Sequence, residues 1–232
     1  MKRRRPKRLG FYHFRFSFLA VFLLFGGCGI ISMLGKPTSH EMKIPAEYKL
    51  AEEPGRKILI LVEQPGYLNA QTNVRYYLTE SLQDNLVEKV GLASENLIGY
   101  DKLAEFRSGK TGFSLLSPAE AGRALGADVV LFVTIESYEL SEIVESGYYS
   151  GAMSAWAVLF DTAGGGKIWP KDAVSKGVRV GFDMEEAGRE AAVERLTAVC
   201  AYCITRYFYD CPKNKFKIAE DRSDISWENW GK

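Results

Sequence analysis

Cys200 and Cys203 stand two residues apart and form the CxxC pair of the chain. In an oxidising compartment such a pair can cycle between dithiol and disulfide when it opens a helix, because the helix dipole there favours the attacking thiolate. Here both cysteines fall inside a helical pattern, on one apolar stripe with Leu196, Val199, Ile204 and Tyr207. The position reads as a pair of buried structural thiols, and a thiol redox protein using Cys200 and Cys203 is the alternative. Cys211, near the end of the same helix, is an odd thiol left over.

The other side chains that do chemistry near neutral pH are scarce. The two histidines, His13 and His40, both precede the folded domain, so Ser–His and Cys–His catalysis are excluded within it and the donor set for zinc is thin. Carboxylate-only mechanisms stay open, as in a ligand-binding or hydrolytic domain, but no acidic pair separates itself from the solvated charges. No catalytic, cofactor-binding or metal-ligating residue is therefore assigned. Gly109-Lys110-Thr111 has the ending of a phosphate loop, yet Ala104 occupies the place of the required glycine, so the segment reads as a surface turn. Gly164-Gly165-Gly166-Lys167 offers amides to an anion but reads first as a hairpin turn. Tyr148 and Tyr149, just ahead of a strand, are candidates for a protein-binding surface against ordinary packing.

The first 27 residues carry the clearest pattern. Lys2-Arg-Arg-Arg-Pro-Lys-Arg8 is followed by the apolar run Phe16–Phe25 and then by Gly26-Gly27-Cys28, the order of charged, apolar and small residues in a secretory signal. Small residues immediately before a cysteine resemble the lipobox of bacterial lipoproteins. That resemblance implies cleavage after Gly27, a lipid on Cys28 and attachment to a membrane; Phe25 stands where the family usually has Leu. Gly29, which is not Asp, favours the outer membrane by the same resemblance. The alternative is a single-pass, uncleaved anchor over Phe16 to Leu34, whose 19 residues are long enough to span.

Residues 1–27 are thus expected to be a signal peptide and 28–55, with three prolines between Gly35 and Gly55, a lipid-anchored linker. The domain is expected over 56–211 and a polar tail, bearing Trp227 and Trp230, over 212–232. Of the 232 residues, 47% are hydrophobic and 25% charged, proportions of a folded chain. The formal charge of +1 conceals seven basic and no acidic residues in the leader. The remaining 23 basic and 29 acidic residues give −6, a poor match to nucleic acid.

Within the domain, Lys57–Val62 is a wholly apolar run suited to a strand covered on both faces. Apolar residues at helical spacing from Asn73 to Val90 predict a crossover helix. A weak strand follows at 96–100 and a helical turn at 101–107. Ser117-Pro118-Ala119-Glu120 is a capping box with Pro at the first helical position, and Gly126 closes that short helix. Strands are expected at 128–140, 152–161 and 173–182, the last two joined through Gly164–Gly166. Asp183 with Glu186 reads as a second capping box opening the final helix, which Pro212 stops. The fold class is α/β, a single domain with a mixed, mostly central sheet flanked by helices, in the order β-α-β-α-β-β-β-α.

The segment Ala-Gly-Arg-Ala-Leu-Gly-Ala-Asp-Val-Val-Leu-Phe-Val (121–133), in which a helix ending in Leu-Gly-Ala-Asp enters a central strand, resembles a group of small envelope lipoprotein domains. These are the TolB amino-terminal, curli-secretion-type and penicillin-binding-protein-activator domains. The resemblance extends over residues 56–210 in element order and implies a fold without transferring a function. Together with the leader it leads us to expect a membrane-anchored, non-catalytic envelope lipoprotein that binds a protein or cell-wall component and no cofactor.

Overall fold

The computed structural model describes residues 42–52, 55–66, 73–144 and 147–213. The leader, Cys28, the candidate span at Phe16–Leu34 and the Trp227/Trp230 tail lie outside them. Ile58–Glu63 (β2) is buried along Ile58–Val62 and sits between two parallel neighbours, Leu97–Ile98 (β3) and Val129–Val144 (β4). A strand apolar on both faces needs cover on both, and it has it. Val74–Asn85 (α1), extended by a π turn at Leu86–Val90, and the final helix Arg189–Thr205 (α4) pack on one face. Tyr100–Gly109 (α2) and Pro118–Ala124 (α3) cover Leu59, Leu61 and Val130 on the other. The domain is α/β with a mixed central sheet flanked by helices.

Segment 121–133 and the turn that leads into it owe their form to a cap at each helix end, one close approach and one register bond. The side chain of Ser117 accepts from the Glu120 amide at 3.3 Å and the Glu120 carboxylate accepts from the Ser117 amide at 2.8 Å, so two free helix-end donors are satisfied reciprocally. At the other end the Gly126 amide donates to Arg123 and the Ala127 amide to Gly122, with Gly126 at φ +72°, the paired bonds of a Schellman close. A Cβ on Gly122 would stand 2.3 Å from Val130 Cγ2 and 2.8 Å from Thr162 Cγ2, so glycine there lets α3 lie directly on the sheet. Asp128 then accepts from the Lys57 amide at 2.8 Å and fixes the register of β4 against β2.

β4 pairs with Tyr148–Asp161 (β5) along nearly its whole length. The Gly164–Gly166 turn leads into a strand absent from the sequence reading, Lys167–Trp169 (β6), which pairs with Leu159 and Phe160 of β5. Lys176–Glu185 (β7) then continues along the same edge of β5, from Ala157 to Tyr148. The two are one edge interrupted at Pro170, which follows a cis peptide and cannot donate to a ladder. This pairing corrects the capping box expected at Asp183 and Glu186. Asp183 lies within β7 opposite Ser150, and α4 opens six residues later, after Gly188. Strand pairing through Glu185 outweighs a local cap pattern.

Neither the expected linker nor the expected tail stays clear of the domain. Lys43–Ile44 (β1) pairs with Cys211–Pro212 (β8). The Glu47 and Tyr48 amides donate to the Tyr207 carbonyl, and Leu50 joins the main core at 5% exposure. Glu47 accepts from Trp169 Nε1 and from Lys176. Residues 43–50 form a strap over the end of α4.

Two stability measurements follow. Leu50→Ala should lower the unfolding free energy by about 2 kcal/mol in urea titration, where a solvated linker would give no change. Gly122→Ala should cost about 1–3 kcal/mol, because the β-branched Val130 has little room to yield.

Candidate functional site

Cys200 and Cys203 are the first residues to place. Both are fully buried in α4 and outside any disulfide, as is Cys211 in β8, whose sulfur lies 3.3 Å from the Tyr202 hydroxyl. Burial pushes the Cys200 thiol well up, with a smaller push from Cys203, and raises Cys203 to about 11 against a nearby Arg206 that pulls it down. A redox pair needs an accessible, low-pKa thiolate. These thiols have the opposite setting and act as small apolar side chains.

The other sequence candidates are dispersed. The Gly164 amide is already taken by Asp161 at 2.6 Å, so the glycine run serves its hairpin. Tyr149 is buried in the core, whereas Tyr148 is exposed with its hydroxyl on Glu185 at 3.0 Å. Glu80 is held above the usual carboxylate range by partial burial and then by Asp84 and Asp101, yet lines neither of the cavities described next.

Those cavities meet at the carboxyl end of β2. The spatial order β3-β2-β4 means that the chain leaves β2 toward one side, then crosses back to the other. In open α/β sheets the crevice outside the strand ends at such a reversal is the usual ligand position. Here an open cleft of about 590 Å³ is floored by Leu61, Glu63 and Phe132 and walled by Arg107, Phe113 and Leu116. A second hollow of about 340 Å³ lies beside it, and Arg75 and Arg107 line both.

Each charged group is set by a different element. Glu63 is the last residue of β2. Arg107 projects from α2, donates through Nη2 to Glu63 Oε1 at 2.5 Å and to the Val62 carbonyl at 3.2 Å, and lies 5.0 Å from the Phe113 ring centroid. Arg75 belongs to the first turn of α1, where its amide donates to the Gln64 side chain at 3.2 Å. Lys110, just beyond α2, holds its ammonium 5.0 Å from the Phe106 ring. The Arg107 guanidinium is pulled below its ordinary range by burial first, pushed back by Glu63 and lowered further by neighbouring Arg75. Three cations and one carboxylate share a partly desolvated space in a domain that is acidic as a whole.

Sequence reasoning passed over this set because its members are 12 to 44 positions apart, counted from Glu63 to Arg75 and to Arg107. One signal was present: a carboxylate ending an otherwise unbroken apolar strand.

No protein-family model matches the chain, and none of the curated proteins does. Among solved structures it is similar to lipoprotein GNA1162 from Neisseria meningitidis, at 18% identity over 62% of this chain and 94% of that one, with a TM-score of 0.40. It is similar to dodecameric PelC from Paraburkholderia phytofirmans at 10% identity over 72% and 96%, TM-score 0.42. The C-terminal domain of LpoB from Salmonella enterica matches at 17% identity over 68% and 93%, TM-score 0.29. Likeness at this level concerns fold alone and carries no function to this chain.

The thiol setting gives a pH test. Held protonated in the fold but ionising near 9 in the unfolded chain, Cys200 and Cys203 favour unfolding as pH rises from about 9 toward 11. Stability should fall across that window, and fall less in a Cys200→Ala, Cys203→Ala variant. Below pH 9 neither thiol should react with a disulfide reagent at a rate above that of global unfolding.

Proposed function

We propose that this chain is an exported lipoprotein of the bacterial envelope, held to a membrane by a lipid on Cys28, whose α/β domain binds a protein or cell-wall component without acting on it chemically. The observation that carries the reading is the leader, in which a basic end, an apolar run and Gly26-Gly27-Cys28 follow in export order. The domain supports it: it has no histidine, its thiols are sealed, and its concave surface is a cleft lined by side chains suited to holding a ligand. Gly29 favours the outer membrane.

The strap sharpens what the tether does. With the lipid on Cys28, 14 residues separate it from Lys43, where the fold begins. Fully extended, that stretch reaches about 50 Å, so the domain works close to the surface that anchors it.

Mass spectrometry of the membrane-extracted chain should find residues 1–27 removed and Cys28 carrying diacylglycerol and acyl mass. Cys28→Ser should release the domain or leave the precursor unprocessed. A wild-type chain of full length and unmodified mass would assign the anchor to Phe16–Leu34 instead.

A further inference from the structure

We propose that β7 is a docking edge for a second copy of this chain, which pairs with it antiparallel about a two-fold axis at Gly181 and carries the sheet across both molecules.

The outer edges of the six-stranded sheet differ in how they are guarded. An open strand edge offers amides and carbonyls to any other chain, and proteins protect it with short strands, bulges or like charges. β3 and β6 are two and three residues long. β4 beyond Thr134 has register breaks at Ile135/Ser137 and Glu142/Val144, with exposed Glu136, Glu139 and Glu142 along it. β7 is built otherwise. Its ten residues include no proline and pair with β5 without a break, and among the described residues no strand pairs with its outer side.

Charge identifies the occupant. Arg179 and Asp183 alternate with Val178, Val180 and Met184, which pack into the core with α4, so the two charges stand on the opposite face of β7. Both are exposed, and neither has an ion-pair partner among the described residues. Four positions along a strand hold them about 13 Å apart, at roughly 3.3 Å per residue, too far to pair with each other. An antiparallel copy centred on Gly181 sets Arg179 of each molecule opposite Asp183 of the other, giving two cross-strand pairs of opposite charge. The same register sets Val178 opposite Met184 on the α4 side, and a slip of one residue would turn that apolar row toward solvent. Val178, Val180 and Met184 are already buried within one copy. The pairing therefore adds hydrogen bonds and charge contacts more than apolar area, and its strength follows the two charge pairs.

The test is sedimentation velocity of the full chain, in excess detergent micelles, over a range of concentrations. The wild type should pass from one copy to two as concentration rises. Arg179→Asp and Asp183→Arg, both at exposed positions outside the core, each set like charges opposite one another twice and should weaken association about tenfold or more. The chain carrying both reversals regains opposite charges and should associate as the wild type does. Register is read by oxidation: a mixture of Arg179→Cys and Asp183→Cys chains should form a disulfide-linked pair in excess of either chain alone. A chain that stays monomeric at every concentration, association indifferent to both single reversals, or association not recovered by the double reversal overturns the proposal. So does a monomer in which every β7 amide resists hydrogen exchange, a result that assigns the edge to another stretch of the same chain.

Discussion

The structure depends on a helix with no face to spare. The first turns of α4 keep Arg189, Glu190 and Glu194 exposed, but from Val199 to Phe208 every residue is buried, and a helix end buried all round, mostly by apolar side chains, has to be enclosed on all sides. The sheet closes one side of α4, where Gly151 leaves room: a Cβ there would stand 3.2 Å from Leu196 and 2.8 Å from Met184. α1 closes a flank. The outward side is closed by residues 43–50, whose amides hold the Tyr207 carbonyl and whose Glu47 binds Trp169 and Lys176. Trp169 in turn packs against Phe208 at 4.9 Å and Tyr207 at 5.8 Å between ring centroids. Three distant stretches of chain meet there because one helix end needs cover.

A second constraint shapes the sheet. β4 pairs with β2 only from Val129 to Thr134, then runs on with β5 to Val144. Its opening run Val129–Val133 is covered on both faces and continuously apolar, and its second half has one face turned to solvent. The bulge between Ile135 and Ser137 marks the change; exposed Glu136 sits at the bulge itself, and exposed Glu139 and Glu142 line the part beyond it. Bulges and charges on a free edge discourage pairing with another chain. The sequence shift from Val-Val-Leu-Phe-Val to alternation is the trace of a strand losing a neighbour.

The readable parts were those whose cause is local. The apolar run of β2, the capping box at Ser117, the close at Gly126 and the entry of β4 all follow from neighbours a few positions apart, and they sit where the pattern put them. Asp183 and Glu186 also made a local pattern, but β5 claimed Asp183 for a strand that runs on to Glu185 and leaves Glu186 just past its end. Residues 43–50 gave no periodic signal because their cover comes from single residues, Tyr48 and Leu50, on irregular chain. β6, three residues long, is too short to show alternation. The cleft was hidden for a different reason: Glu63, Arg75 and Arg107 come from a strand and two helices, and only the crossover of the chain brings them together.

The two faces of the sheet divide the work accordingly. On the face carrying α1 and α4, apolar demand is met in full, with the strap as its last layer and thiols protected inside it. The strap is thus part of the closed face and not a spacer outside it. The opposite face is covered by α2 and α3, ten and seven residues long, which are too short to seal the carboxyl end of β2. Charge gathers where cover stops: Arg107 reaches over the end of β2 with its guanidinium over the Phe113 ring, and Arg75 belongs to the first turn of α1. A cation there keeps partial contact with water while its apolar stem fills space, which neither a buried helix nor a solvated loop would permit. Leaving one face incomplete therefore opens the cleft at the end of β2, while the packing of α4 keeps the opposite face closed.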